Sequence, residues 1–530
     1  MLEKLSPQVR MILATVLSFA FFALYDHFFI PKTPLVDANA TVSTQQSTQN
    51  TSSSAPEVKA PVAGSMDVAS APVVSKEVEV IATIKAPSYE AQIDRLGRIA
   101  KFYLLEEKYK DDKGERLQLI DASQALLPLE VRFSDKAINA DAFVMSYSAD
   151  KSVVDVVQNG SAVVLTQTLG NVTITKTITF FPSGNYTLHV KLSEPKEYFI
   201  SSGFRPSVAL DGYTFHGVLI KKADGTIKTL DDGDLKADER FDKARIVASA
   251  DKYYTTFFYN LEKGLDTVVS VGKNKDPLVF VRGDESFNVA GYIGPKEYIK
   301  LKEIHPELTD VVEYGFFTFI AKPLFTLLAY LHNIFGNWGW AIVFMTIIVR
   351  LVLYPLTYKG MVSMNKLKEL APKVKELQVK YGDDKQKLNM HMMELYKKHG
   401  ANPMGGCLPI LLQIPVFFAV YRVLQNAIEL KGAAWILWVH DLAVMDPYFI
   451  LPIAMGLTMF LHQRITPTTF TDPMQEKIMK FLPLIFTFFF VTFPAGLTLY
   501  WFTNNLASIV QQYYVNRLFA KKHEEQKAEK

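Results

Sequence analysis

The sequence predicts a multi-domain chain, a polytopic α-helical membrane core carrying a large extracytoplasmic antiparallel β-sandwich domain. Three observations predict it. Apolar stretches of span length crowd the C-terminal part, and a 49% hydrophobic content with a mean hydropathy of +0.09 exceeds what soluble enzymes show. Residues 86 to about 300 instead place β-branched and aromatic residues between Gly, Asn, Asp and Pro turns. Lysines gather in one set of connections between the apolar stretches, as the positive-inside rule requires of cytoplasmic loops. A net charge of +3 over 530 residues does not mark a nucleic-acid binder, and no direct nucleic-acid function is expected.

Residues 1–30 read as a retained N-terminal transmembrane anchor: MILATVLSFAFFALYDHFFI follows Lys4 and Arg10, which keep the N-terminus in the cytoplasm. The A-x-A at Ala38–Ala40 lies too far beyond the apolar run for cleavage. Residues 31–85 are rich in Ser, Thr, Gln, Ala, Val and Pro and cannot bury enough apolar area to offset chain entropy, so they form a disordered linker. The β-sandwich is expected over 86–305, with strands in SAVVLTQTLGNVTITKTITFF, YTLHVKL, DTVVSVG and FNVAGYIG. No constellation of His, Ser or paired carboxylates marks it as catalytic.

Residues 306–337 contain an amphipathic segment. Phe317, Ile320, Leu324, Leu327, Leu328, Leu331, Ile334 and Phe335 recur at helical spacing, opposite Thr318, Lys322, Thr326 and Asn333. A helix lying in the membrane interface is expected rather than a crossing one. Spans follow over 338–356, 408–427 and 448–462, and residues 481–514 are broken into two spans by Pro494, Ala495 and Gly496. With the anchor that makes six, in a core of 338–520 and a tail of 521–530. Residues 359–400 hold ten lysines against five acidic residues. Two helical segments there, joined by YGDDK, predict a cytoplasmic helical hairpin with Met364, Leu367, Leu370, Val374 and Leu377 on one stripe. This basic loop, Arg464, Lys477, Lys480 and the tail lysines all fall on the side of Lys4 and Arg10. The β domain then lies outside the cytoplasm.

Arg350 sits inside the run FMTIIVRLVLYPL. A charge at a span centre costs about 3 kcal/mol on insertion scales, so something must offset it. Two accounts stand at this point. Arg350 lies six residues before Leu356, about 9 Å of helix, so it is able to snorkel to the cytoplasmic end. Alternatively it faces a hydrophilic cavity between helices, where water, hydroxyls, carbonyls or an anionic ligand solvate it. Thr346 shares its face, Tyr500, Asn504 and Ser508 follow at steps of four in the last span with Gln511 and Gln512 beyond, and Gln413, Arg422 and Gln425 are polar residues of another span. Such a cavity serves a transporter of an anionic solute, or a place where polar segments of another polypeptide cross. The chain shows no internal repeat and few intramembrane acids, and its basic hairpin favours a macromolecular partner. Its one cysteine, Cys407, excludes an intramolecular disulfide and reads as a small buried side chain; no zinc-ligand spacing, P-loop or dinucleotide fingerprint is present.

The ordered motifs IIVRLVLYPLT, GDDKQKLNMHMMELYKKHGANPMGGCLPILLQIPVFFAVYRVL, WVHDLAVMDPYFILPIAMGLTMFLHQRITPTT, DPMQEKIMKFLP and FPAGLTLYWFTNN, spread over residues 314 to about 518, resemble the core of YidC-type membrane protein insertases. The anchor, linker and β domain resemble the Gram-negative bacterial form, whose periplasmic domain is similar to sugar mutarotases. The resemblance implies a five-helix insertase core around a hydrophilic groove open to cytoplasm and lipid, in the inner membrane, with both termini cytoplasmic. It implies that Arg350 and Thr346 are the groove arginine and threonine, and that Tyr500 and Trp501 match an aromatic pair whose second member is usually tyrosine. It also implies an insertase and chaperone that is not an enzyme, with nascent membrane proteins, the Sec translocon and lipid as partners, and the ribosome through the basic loops. In this reading the client's polar flank occupies a groove of Arg350, Thr346, Tyr500, Trp501, Asn504, Ser508 and Gln413. Its hydrophobic segment slides along Phe417, Phe418, Phe486, Phe488 and Phe489, which serve equally well as packing or lipid-facing residues. Lipid partitioning supplies the drive, so no nucleotide, metal or other cofactor is expected. A scaffold that holds helices laterally without translocating anything is the alternative.

Overall fold

The computed structural model describes residues 78–528 apart from 111–113, 211–213, 383, 403–407 and 467–472. The expected anchor over 1–30, the linker as far as residue 77, and Cys407 lie outside them.

The β domain is built on a nine-stranded antiparallel sheet. Its order across the sheet is 227–231, 217–221, 246–250, 254–259, 286–295, 185–192, 172–180, 161–169 and 148–149. Alternation of side chains decides which residues face the core: in Val172–Phe180 every second residue is buried, starting with Val172. Ile178 pairs across with Val163 and Leu188, so the apolar rows of three strands coincide. Two five-stranded sheets complete the layers, one of them containing the parallel pairing of Val80–Lys85 with Val153–Asp155. The first strand therefore starts at Val80, inside the stretch expected to be linker. Ile81 and Ile84 of VIATIK supply apolar contacts that the polar residues before them lack, and Ala82 and Ile84 are buried in the core.

Lys176 also falls on the inward row and is fully buried. Its ammonium donates to the carbonyls of Gly97 (3.0 Å) and Leu129 (2.8 Å) and lies over the Tyr147 ring. Burial lowers its pKa to about 7, against the pull of Asp94 and Glu130.

Helix α1 (Lys136–Val144) belongs to the β domain and is capped by the Asp135 carboxylate, which accepts from the N–H groups of Ala137 and Ile138. Helix α2 (Tyr298–Ile304) and a 3-10 turn at Pro306–Val311 follow the last strand. They cover the outer face of the large sheet: Leu219, Ile246, Ala248, Phe257 and Tyr292 pack in one cluster with Tyr298, Leu301, Leu308 and Val311. That cluster continues into the helical region, so the β domain and the helices share a core. Ion pairs reinforce the join, from Lys221 to Glu307 and Asp310 (2.6 Å each), from Arg245 to Glu307 (2.8 Å), and from Lys322 to Asp310.

The helical region comprises α3 (Thr318–Phe335), α4 (Trp338–Tyr381), α5 (Lys385–Lys398), α6 (Leu408–Asn426), α7 (Ile450–Ile465), α8 (Pro473–Phe490) and α9 (Ala495–Ala528). By length and composition, Gly315–Phe335 and Trp338–Tyr381 are able to cross a membrane, and α7 is a shorter apolar helix. Helix α3 buries Ala321, Leu324, Phe325, Leu328 and Leu331. Its outer side is mixed: Thr326 and Asn333 lie there, but so do Phe319, Tyr330 and Ile334.

Helix α4 differs from expectation by running unbroken from the apolar stretch through the first arm of the hairpin. Its 44 residues extend for about 66 Å. Pro355 and Pro372 each remove one helical hydrogen bond without ending the helix. The hairpin closes as its stripe requires, with Leu367, Leu370 and Val374 packed on Met392 and Tyr396. The break at Pro494 is a tertiary joint: the N–H groups of Ala495 (2.7 Å) and Gly496 (2.9 Å), which start α9, donate to the carbonyls of Val444 and Leu442. Helix α9 in turn runs to Ala528, through most of the segment expected as a tail.

Candidate functional site

Arg350 lies one turn beyond Thr346 on α4 and is 6% exposed. Its guanidinium crosses to α9, where steps of four place Asn504 and Ser508 on the facing stripe. Nε donates to Asn504 Oδ1 (2.8 Å), Nη1 to Gln511 Oε1 (3.4 Å), and Nη2 to the Asn504 carbonyl (3.3 Å) and to Ser508 Oγ. Ser508 Oγ donates onward to the Asn504 carbonyl at 2.7 Å. The donors of Arg350 are taken up sideways by α9, not at the end of its own helix as snorkelling requires, and the contact is a closed one between helices, not the hydrophilic cavity of the other account. Every one of these acceptors is neutral, and among the described residues Arg350 has no carboxylate in an ion pair. A full positive charge is thus held within the helical region by dipoles alone.

The other expected groove residues divide. Tyr500 is buried on the same stripe of α9. Thr346 is buried too, but its hydroxyl donates to the Ile342 carbonyl of its own helix (2.7 Å) and not to the cluster. Gln413 is half-buried on α6 and is not among the partners of Arg350. Trp501, about 100° round the helix from Tyr500, joins an aromatic group with Phe417 (4.7 Å between centroids), Phe490 (5.0 Å) and Phe486 (5.8 Å). Arg422, Gln425 and Asn426 sit at the opposite end of α6, where Asn426 donates to the Glu313 carbonyl (2.7 Å) and Arg422 lies beside Gly315.

The five phenylalanines do not form one surface. Phe417 and Phe486 turn inward to Trp501, whereas Phe418, Phe488 and Phe489 are 45%, 78% and 59% exposed. Adjacent positions of a helix point about 100° apart, so a run such as FTFFF cannot present all its rings to one side.

The polar stripe extends further than the sequence reading took it. Asn505 donates to the Met455 carbonyl of α7 (3.3 Å). Asn516 Oδ1 accepts from Asn365 Nδ2 of α4 (3.0 Å) and from Gln512 Nε2 (2.8 Å), and its Nδ2 donates to the Ile465 carbonyl of α7 (3.0 Å). Asn516 was visible as the next step of four after Ser508 and Gln512. Asn365 lies within the lysine-rich hairpin, where one more polar residue carries no signal.

Comparison with known proteins bears on this arrangement. The family description "60Kd inner membrane protein" matches residues 330–523, and "YidC periplasmic domain" matches 205–327. A Campylobacter jejuni protein named membrane protein insertase YidC is 56% identical over 519 residues, covering 97% of both chains. The chain belongs to the YidC family. Proteins of the same name from Wolinella succinogenes, 53% identical over 98% of this chain and 97% of the relative, and from Helicobacter pylori, 46% identical over 98% of each, agree with it in length as well. Among solved structures, an active YidC insertase with its first transmembrane domain resolved is 19% identical, with a TM-score of 0.37 over 82% of this chain and 95% of that one. Thermotoga maritima YidC is 16% identical, with a TM-score of 0.29 over 82% and 99%. For this YidC-family chain the fold class is the one expected from sequence, a β-sandwich domain joined to a helical membrane core, and the Arg350 cluster lies in that core.

Proposed function

We propose that the chain inserts integral membrane proteins into the bacterial inner membrane and helps them fold, alone or with the Sec translocon. The observation that carries this reading is the buried Arg350 guanidinium, bonded only to neutral oxygens of α9. Such a charge is satisfied but not neutralised. An acidic side chain in the polar flank of an incoming segment gains a charge-assisted bond by displacing Asn504, Gln511 or Ser508, and the displaced groups remain to bond the flank's main chain. The seam between α4 and α9 then acts as a hydrophilic cationic groove, open to cytoplasm and lipid, that lowers the cost of moving polar groups outward. The client's hydrophobic part partitions along the exposed rings of Phe418, Phe488 and Phe489 into lipid, which drives the step without nucleotide or metal. Phe417, Phe486 and Trp501 hold α6, α8 and α9 together behind them.

The same proposal sets the topology. The β domain is periplasmic, α3 lies in the interface, both termini and the hairpin at 359–400 are cytoplasmic, and the anchor over 1–30 adds a span. The lysines of the hairpin and tail contact the ribosome. The exposure of Phe418, Phe488 and Phe489 also favours a second reading, a scaffold that holds helices laterally. Reconstituted alone in liposomes, the chain is expected to move the short periplasmic tail of a single-span client into the lumen, scored by protease protection. Binding of the client without a protected tail would leave only the scaffold.

A further inference from the structure

The connection between α6 and α7 is a folded loop with two unlike sides. Its start leans on the β domain, where Glu429 accepts from the Tyr298 N–H and Lys431 donates to the Tyr254 hydroxyl (3.3 Å). Its inner side is apolar, with Leu430, Val439 and Leu442 buried in the shared core. Its main chain closes on itself: the Trp435 N–H donates to the Val439 carbonyl (2.9 Å) and the Leu442 N–H to the Ala433 carbonyl (3.0 Å). Asp446 is buried and is taken up by the N–H groups of Tyr448 (3.0 Å) and Leu451 (2.7 Å) at the start of α7. Outward the loop turns Leu437, Val444, Met445, Tyr448 and Phe449, all exposed, Leu437 by 75%. Over residues 432–449 only His440 and the Tyr448 hydroxyl add a polar side-chain group to that exposed side. Leu437 (φ 54°) and Phe449 (φ 58°) hold left-handed backbone, which is costly for a residue with a bulky side chain. Strain kept at two positions that display large apolar side chains points to a use for the display.

We propose that this loop seats its outward side chains in the periplasmic leaflet of the bilayer, at the boundary between headgroups and acyl chains. The proposal rests on the topology given above, which puts this end of α6 and α7 on the side of the β domain. Helix length argues for it. Helix α7 has 16 residues, about 24 Å by helix rise, against about 30 Å of hydrocarbon. A span that short is met either by a thinned bilayer or by apolar groups beyond its end, and the loop holds such groups. Ile450, Ile453 and Leu457 are exposed at steps of three and four along α7, so its apolar outer stripe continues into Tyr448 and Phe449. On the other flank the loop meets the break before α9: Met445 bridges to Pro494, and Phe488 and Phe489 are exposed just ahead of it. An apolar patch continuous with the outer faces of spans is suited to lipid, not to water. The headgroup boundary fits better than the hydrocarbon centre, because irregular backbone is not tolerated there, and because His440 and the Tyr448 hydroxyl need water within reach. The consequence falls on α9. The Val444 and Leu442 carbonyls that receive its first N–H groups belong to this loop, so the leaflet sets the level at which α9 starts.

The test measures depth. In a Cys407→Ser background, Leu437→Cys, Tyr448→Cys, Leu457→Cys at the middle of α7 and Ala223→Cys in an exposed turn of the β domain each carry an environment-sensitive fluorophore; all four positions are exposed. Met445→Cys replaces either loop variant if it melts below the parent. The full chain is reconstituted in vesicles whose phospholipids bear bromine either near the headgroup or near the end of the acyl chain. Labels at Leu437 and Tyr448 should lose emission to the shallow bromine and little to the deep one, the label at Leu457 should do the reverse, and the label at Ala223 should respond to neither. Loop labels that keep their emission in both lipids, as at Ala223, stand in water above a thinned bilayer and overturn the proposal. Blue-shifted emission quenched by neither lipid means that protein covers the patch, a second copy or the chain's own N-terminal segment, and overturns it too. Sidedness comes from an impermeant thiol reagent applied to the unlabelled cysteines. If Leu437→Cys sides with Lys375→Cys in the hairpin and not with Ala223→Cys, the topology and the proposal fall together; a shared side with Ala223 and no quenching by lipid sinks the proposal alone. The readout needs no client, so a chain that inserts nothing sinks the insertase activity and leaves the loop's place in the leaflet standing.

Discussion

Replacing Arg350 by methionine separates stability from function, because the two depend on different properties of the side chain. Methionine keeps a long flexible stem but loses the charge and all four hydrogen bonds to Asn504, Ser508 and Gln511. Those bonds involve a cation and contribute about 1.5–3 kcal/mol each, about 6–12 kcal/mol for the four if they add. Against them stands the cost of holding a cation inside the membrane, about 3 kcal/mol on insertion scales, which methionine abolishes. Ser508 is also already bonded to the Asn504 carbonyl, so part of the polar stripe satisfies itself after the change. The bonds outweigh that cost by at least about 3 kcal/mol, so the variant should melt several degrees below the parent, and its insertion is compared per folded molecule. Insertion should behave otherwise. One charge-assisted bond to an acidic flank is worth about 1.5–3 kcal/mol, so the rate for acidic-tailed clients should fall about tenfold to a hundredfold. Clients with uncharged tails should be nearly unaffected. Arg350→Lys, which retains the charge, should keep much of the rate on acidic tails, and Arg350→Ala should lose it as methionine does. The assay is protease protection of matched clients, differing only in tail charge, after insertion into liposomes. Full activity of Arg350→Met on acidic tails, or an equal loss on both tails, would refute the reasoning.

Deleting residues 86 to about 290 while keeping α2, the 3-10 turn and α3 should leave insertion of simple clients largely intact per folded molecule. It should also lower the melting temperature, because Leu301, Leu308 and Val311 lose the sheet face they pack on; complete loss of insertion by a protein still folded in the membrane would contradict this. With Cys407→Ser as background, single cysteines at Asn504 and Ser508 should react with an impermeant thiol reagent from the cytoplasmic side and not from the periplasm, faster when client is present. Cysteines at Leu506 and Val510, which point outward, should react poorly from both sides, and equal labelling of the two faces would exclude the groove. Glu429, in the connection after α6, accepts from the Tyr298 N–H (2.8 Å), and burial with nearby Glu297 raises its pKa to about 7. Its folded form holds the proton more tightly than the unfolded chain does, so stability should fall as pH rises from about 4.5 to about 7, by at most about 3 kcal/mol. Thermal melts in detergent should show a shallower slope over that window for Glu429→Gln; an unchanged slope would mean that Glu429 is not the group responsible.

Local patterns in the chain were enough to determine its class and most of its helices. Apolar runs of span length, the break at Pro494, the stripe from Met364 to Leu377 and the alternation in VTITKTITF each follow from a period of 3.6 or 2 and from what proline forbids. The presence of Arg350 among apolar residues, and the spacing of Tyr500, Asn504 and Ser508, likewise marked the polar seam. What the chain in one dimension did not decide is which residues meet. Trp501 follows Tyr500 in sequence yet turns to Phe417 and Phe486, and Phe488 faces outward two positions from Phe486, because rotation about the helix axis relative to neighbours is fixed only by packing. The continuity of α4 past Pro355 and Pro372 was hidden too: a proline costs one hydrogen bond locally, and surrounding contacts decide whether the helix survives that loss. Asn365 was least legible of all, since an asparagine among lysines reads as solvated until α4, α7 and α9 come together around Asn516. Hydrophobic periodicity is a property of one helix, whereas a hydrogen bond between side chains 151 positions apart exists only once the bundle has closed.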